Sequence, residues 1–362
     1  MMPPHCQTGP LQARVIAMAG TWRPVLMEQH VIARRGRRAL AVLALLAVGG
    51  LLASLCWGPS GFNAGFVLQG LTGDGATAAA MIRAMRLPRL TIGIIAGLGL
   101  GLAGCLAQAV LKNPLASPFT LGVSSGGGFG AALAMILWPA AHPATVPAMA
   151  IGFSLLTAAF ALAMTRLRGA ATETLVLAGV AVMFLFSAMT SFIQYMAPQM
   201  DLSRIVFWSF GSLAKAGWSE IGVAAVLVLP GVPWLFLRAP DLDCIMCGDE
   251  TAASLGVNVA SLRRTSITVM SVMTAGAICF CGVIGFIGLI APHMARLAVG
   301  GRHRLLLPAS GLLGVALVIL ADLAGRIVFA PLVLPVGIMT AFCGVPFFFW
   351  LLVRRCRRRT CD

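Results

Sequence analysis

Few side chains in this 362-residue sequence have both the type and the spacing to do chemistry. Of the eleven acidic residues only Asp322 falls inside a long apolar run, near one end of it, and Arg326 follows four residues later. Four residues is about one helical turn, so the two can pair on one face. Ion-coupled carriers need ionisable groups near the bilayer midplane, and one pair at a membrane edge does not make such a relay. Cys244 and Cys247 form a lone C-x-x-C, but a zinc site needs a second ligand pair nearby and none follows. Cys105, Cys279, Cys281 and Cys343 lie in apolar runs, where a thiol behaves as a small hydrophobe. The histidines at 5, 30, 142, 293 and 303 are dispersed, whereas a membrane enzyme would gather His, Asp or Glu near one interface. His293 has no neighbouring His or Cys, so no metal is expected. The sequence has no G-x-x-x-x-G-K-[ST] phosphate loop, so the chain is not expected to hydrolyse ATP. Gly126-Gly127-Gly128, after Ser124-Ser125, reads as a close-packing or hinge element. No catalytic residue and no metal ligand emerges.

The elements that carry these residues are apolar. Hydrophobic residues make up 59% of the chain and charged ones 10%, against about 25% charged in a soluble domain. Runs of the roughly 17–25 residues that cross a bilayer recur along the chain. They lie at 39–57, 90–111, 119–138, 145–165, 174–197, 221–237, 265–283, 285–298, 305–325 and 335–353, predicting an all-α polytopic membrane protein of about ten transmembrane helices. The eighth run is short and contains Pro292, which suggests a half-helix buried by its neighbours. Gly97, Gly99, Gly101 and Gly104 mark a close-packing face in the second. Residues 1–38 read as a polar cytoplasmic tail, disordered over its first thirty residues, with Met1, Met18 and Met27 as alternative starts. Residues 39–355 form the transmembrane domain, with 238–264 as its largest cytoplasmic loop, and 356–362 a basic cytoplasmic tail.

The net charge of +15 comes from 24 Arg and two Lys, Lys112 and Lys215. They sit in short clusters between runs rather than on one folded basic face, which argues against a nucleic-acid partner. With both termini inside, 20 basic residues fall on inner segments and six (Arg83, Arg86, Arg89, Arg204, Lys215 and Arg326) on outer ones. That bias is the positive-inside signature of a multi-pass inner-membrane protein, which also makes lipid a partner. Within the inner loop, Asp249-Glu250-Thr251-Ala252-Ala253-Ser254-Leu255-Gly256 reads as a short helix, acidic at its start and closed by glycine.

Several short motifs occur in a specific order. Arg86-Leu87-Pro88-Arg89 opens the second run, Gly104-Cys105-Leu106-Ala107-Gln108 ends it, and Asn113-Pro114-Leu115-Ala116 follows. Leu121 to Gly126, Leu255-Gly256-Val257 and Gly285 to His293 come next, then Ala321-Asp322-Leu323, Arg326, Leu334 to Ile338 and Gly344 to Phe348. As an ordered set over about residues 40–355, they resemble the FecCD family of permeases of ferric-siderophore, haem and cobalamin importers. Ala291 stands where that family often has Val, a minor departure.

The resemblance implies a type II ABC importer permease, a homodimer or a pair with a paralogous permease. It also implies two cytoplasmic ATPase subunits, which would hydrolyse the ATP, and a periplasmic substrate-binding protein. By the same resemblance Arg86, Arg89 and Arg326 dock the binding protein. The ATPase couples through Asp249, Glu250, Ala253, Leu255, Gly256 and Val257. No cofactor is expected in the chain itself. An ion-coupled secondary carrier is the alternative reading, disfavoured by the missing midplane acids.

Overall fold

The computed structural model describes residues 34–58, 61–62, 64–72, 76–139, 142–165 and 172–359. The expected disordered tail therefore lies outside the described residues up to position 33, while residues 34–38 are already helical. The helices are α1 (Arg34–Cys56), α2 (Ala64–Thr72), α3 (Ala76–Met81), α4 (Leu87–Val110), α5 (Val123–Leu137), α6 (Thr145–Thr165), α7 (Thr172–Met196) and α8 (Gln199–Ser209). They continue as α9 (Trp218–Val228), α10 (Gly231–Met246), α11 (Asp249–Ser254), α12 (Val259–Cys281), α13 (Ile287–Val299), α14 (His303–Ile327) and α15 (Val336–Arg359). A π-helical turn, Ile82–Arg86, joins α3 to α4 without a break, and a two-residue ribbon pairs Trp57–Gly58 with Gly61–Phe62.

Among the described residues seven helical stretches are long and apolar enough to cross a membrane, and α5, α13 and Val336–Trp350 of α15 are shorter apolar helices. These ten correspond to the ten runs read from the sequence. The chain is a multi-pass membrane protein. Helix ends differ from run ends where hydrogen bonding outlasts hydropathy: α9 and α10 form one span, Trp218–Met246, that continues past the apolar run ending near 237. Both ends of the expected 238–264 loop are thus helical, as are residues 356–359 of the expected C-terminal tail.

At the centre stands α4, buried on nearly every side. Its glycines are what permit this, because small residues let helix backbones touch. A Cβ on Gly97 would lie 2.6 Å from the Gly314 carbonyl oxygen of α14, and one on Gly104 would overlap the Gly288 carbonyl of α13. Gly97 meets Gly314 while Gly101 meets Ser310, so α4 and α14 run antiparallel. Gly36 and Gly50 of α1 face Leu305 and Leu320, so α1 runs parallel to α14. In the run Gly126-Gly127-Gly128 the first two pack closely: a Cβ on Gly127 would lie 2.6 Å from the Ser154 hydroxyl of α6 and 2.8 Å from Ile278 of α12, whereas one on Gly128 would meet only Val283, at 3.8 Å.

Between α12 and α13 the chain leaves helical geometry from Gly282 to Phe286. Backbone at membrane depth must find partners in the protein. Here Ser212 N–H donates to the Cys281 carbonyl, Val336 N–H to Gly211 and Gly337 N–H to Phe210, at 2.7, 3.1 and 3.0 Å. Gly282 (φ 70°) and Gly211 (φ 74°) supply the left-handed turns that this requires. The following helix, α13, has thirteen residues, or about 20 Å, short of a bilayer core.

Candidate functional site

Two charged clusters occupy opposite ends of α4, about 36 Å apart for its 24 residues.

At the N-terminal end, the R-x-P-R and A-D-L segments come together. Asp322 is 4% exposed and takes a fork from Arg89, with Nη2 2.8 Å from Oδ1 and Nε 3.1 Å from both carboxylate oxygens. Arg326 reaches the same carboxylate, Nε to Oδ2 at 3.2 Å, so the i,i+4 pair expected from the sequence forms. Arg326 also donates to the Ser54 hydroxyl and to the Trp57 carbonyl, and Arg86 donates to the Leu55 carbonyl. Carbonyls in the last turn of a helix lack intrahelical partners, and cations there also suit its dipole. Arg86 and Arg326 thus fasten the end of α1 to the bundle. Three guanidinium groups against one carboxylate leave the cluster at +2.

All three arginines line one cavity of about 300 Å³, together with Ser54, Met81, Met85, Leu90, Val333 and the turn at Ala330-Pro331. The sequence brought these arginines to one face. It gave no sign that two of them would share Asp322, or that two would cap α1, since those partners lie up to 272 residues away.

At the C-terminal end of α4, Lys112 Nζ lies 2.7 Å from Asp249 Oδ1 and Arg263 Nη2 lies 3.1 Å from Asp249 Oδ2. Asp249 opens α11 and Arg263 belongs to α12, so three elements meet on one carboxylate. Burial alone would raise the Asp249 pKa, but the Lys112 hydrogen bond and the Arg263 charge more than offset it and hold the carboxyl below its usual range. The six residues expected for coupling divide in two. Glu250, Ala253, Leu255 and Gly256 are exposed, whereas Asp249 and Val257 are half-buried, Val257 packing against the main core. Gly256, at φ 86°, ends the helix as expected, with Val257 N–H donating to the Ala252 carbonyl at 3.0 Å.

Sequence reasoning missed Lys112 and Arg263. The available signal for Lys112 was a lone lysine at a span end, directly before Asn113-Pro114. A second tie at this end was also missed: Asp243 Oδ1 accepts from the His303 backbone N–H at 2.9 Å and lies 2.6 Å from its Nδ1, holding α10 to the start of α14. Among the described residues no group of three His, Cys, Asp or Glu could hold a metal ion.

The charged segments thus separate into two groups. Arg83, Arg86, Arg89 and Arg326 share one end, and the Arg83 carbonyl accepts from Trp218 Nε1 at the start of α9. Lys112, Asp243, Asp249, Arg263 and His303 share the other.

Comparison with known proteins identifies the family of the chain. The family model described as the FecCD transport family matches residues 45–354. The Fe(3+) dicitrate transport system permease protein FecD of Escherichia coli (strain K12) is 39% identical over 271 residues, 74% of this chain and 84% of that protein. The vitamin B12 import system permease protein BtuC of Klebsiella pneumoniae is 33% identical over 330 residues, 91% of this chain and 98% of that one. A solved ABC transporter assigned to the metal-chelate type, in an inward-facing conformation, superposes with a TM-score of 0.80 at 30% identity, over 88% of this chain and 99% of that chain. With a family match spanning most of its length and relatives above 30% identity, the chain belongs to the FecCD transport family.

Proposed function

We propose that this chain is the permease subunit of an ATP-driven importer for an iron chelate, haem or a cobalamin-like compound. The observation that carries the reading is the similarity, over 74% and 91% of the chain, to permeases named for ferric dicitrate and vitamin B12. The charge distribution supports it. Asp322, near one end of α14, is sealed by two arginines rather than open to a proton path, which disfavours the ion-coupled carrier.

In this reading the α4 end with Arg86, Arg89 and Arg326 faces the periplasm and the Lys112 end faces the cytoplasm, with both termini on the cytoplasmic side of the inner membrane. The cavity between the three arginines suits an acidic side chain of a binding protein, since guanidinium forks pair with carboxylates and the cluster keeps a net positive charge. The exposed residues Glu250, Ala253, Leu255 and Gly256 form the surface for an ATPase subunit, which supplies the hydrolysis. Two such subunits, and a second permease copy or a paralogue, complete the assembly. The exposed apolar side chains of α7 and α9–α10, such as Phe192, Val226 and Leu237, suit lipid or that second permease.

The test is reconstitution in proteoliposomes with the ATPase and the binding protein, following uptake of ferric chelates, haem and cobalamin. Uptake that needs ATP is expected. Uptake driven by an ion gradient without the ATPase would reject the reading.

A further inference from the structure

Both α4 and α11 end in the same hydrogen-bonded turn. In α11 the residue beyond the cap is Gly256, and Gly256 N–H and Val257 N–H donate to the Ala253 and Ala252 carbonyls. In α4 it is Lys112, and Lys112 N–H and Asn113 N–H donate to the Ala109 and Gln108 carbonyls, both at 3.2 Å. The turn requires a left-handed residue, normally Gly or Asn. Lys112 adopts it at φ 45°, one of only two non-glycine residues with positive φ among those described. A side chain held against that preference implies a use for it. Its contact is the carboxylate that opens α11, at 2.7 Å. Exposed ion pairs add little to stability, and Lys112 and Asp249 are 30% and 45% exposed. The pair therefore explains the strained backbone better as a mechanical tie than as a source of stability.

We infer that Lys112 is a positioning residue: it fastens the coupling helix α11 to the end of α4, so that α4 links Arg86 and Arg89 at one end to the ATPase surface at the other. The inference rests on the importer reading above. At its other end α4 is fixed by Arg89 to Asp322 of α14 and by Arg86 to the end of α1. Between the two ends its glycines lie against the backbones of α13 and α14, leaving little room for slippage. Coupling between sites needs a physical element that both sites bias. Helix α4 is such an element, but Ala252 is the one residue of α11 fully buried in the core. Without Lys112 the short helix would keep Arg263 of α12 on Asp249 and lose its direct link to α4.

The experiment uses the full complex in proteoliposomes and three readouts: binding-protein affinity, basal ATP hydrolysis and hydrolysis stimulated by the loaded binding protein. Lys112→Gly removes the charge and suits the left-handed backbone, so folding is preserved. It is expected to leave affinity and basal hydrolysis unchanged and to cut the stimulated-to-basal ratio by roughly fivefold or more, the lower end of usual coupling factors. Lys112→Arg keeps the charge and is expected to keep most of the stimulation. An undiminished ratio in Lys112→Gly overturns the inference, as does an equal loss in both variants or a parallel fall in affinity and basal rate. A wild-type complex without ATP-dependent uptake overturns the importer reading itself, and that failure shows in the control arm before any variant is compared.

Discussion

Arg89 and Asp322, 233 residues apart in sequence, form a forked ion pair beneath the surface of the bundle, with Nη2 2.8 Å from Oδ1. The carboxylate is almost fully buried, and Arg326 approaches it from the following turn of its own helix. Two cations therefore depend on one acid, in a place where an unbalanced charge is costly. Asp322→Asn should destabilise the protein by about 3 kcal/mol, the lower end for breaking a buried pair, because both guanidinium groups also reach the cavity. Thermal unfolding followed by size-exclusion chromatography in detergent measures this. A variant as stable as the parent would show that solvent, not Asp322, balances the arginines.

Glycine contacts of α4 make a second, local prediction. A Cβ at Gly104 would overlap the Gly288 backbone, and backbone cannot turn aside as a side chain can. Gly104→Ala should cost about 1–3 kcal/mol, the usual range for overpacking. At Gly152 of α6 a Cβ meets nothing within 4 Å, so Gly152→Ala is the matched control and should be neutral. Equal melting temperatures for the two variants would contradict the close α4–α13 contact.

How much of this was legible in the sequence depended on the range of each interaction. The ten apolar runs are local signals, and each became a helix. So did the Asp322–Arg326 pair and the Gly256 cap, whose partners lie within a turn. Helix α8 went unread because eleven residues carrying Asp201 and Arg204 fall below any spanning run. Arg89–Asp322, Lys112–Asp249 and Asp243–His303 went unread because nothing local announces a partner 60 or more residues away. Arg86, Arg89 and Arg326 were placed by motif and sidedness alone, and the hold of Arg86 and Arg326 on α1 shows only in three dimensions.

Titration of Asp249 gives a prediction with a definite sign. Its folded pKa lies below the unfolded value, so its contribution is present above the unfolded pKa of about 4 and is lost as pH falls through the folded one. Hydrogen exchange protection of α11, corrected for intrinsic rates, should be flat from about pH 8 to 5 and fall only under more acid conditions. Loss of protection already near neutral pH would mean that the carboxylate does not hold the helix.

Replacing Asp249–Gly256 by a flexible Gly/Ser segment should abolish uptake while leaving membrane insertion intact. A partner can shift the spans only through contacts that differ between its states, and a floppy segment transmits none. Normal coupling of ATP hydrolysis to uptake in the altered protein would show that the ATPase docks elsewhere.

The docking prediction is sharpened by the geometry, because the three arginines are not equivalent. Arg89 and Arg326 hold Asp322, so reversing either disturbs the fold as well as the surface. Arg86 contacts the end of α1 through the Leu55 carbonyl, and changing it leaves Arg89 and Arg326 on Asp322 in place, which makes it the better probe. Arg86→Glu should weaken binding-protein association far more than Arg86→Lys, since reversal opposes two like charges and suppresses encounter, while Lys keeps the charge and loses the fork. A single rim pair contributes only about 0.2–1 kcal/mol, so Arg86→Ala should be mild and the triple Glu variant severe. Association should also weaken as salt rises past about 0.15 M, where exposed charges are screened beyond about 8 Å. Affinity measured on the solubilised complex, over the variants and a salt series, decides between two roles for this cluster. If Arg86→Glu and the triple variant, both properly inserted, bind the partner as tightly as the parent, these arginines serve only to anchor α1 and α14.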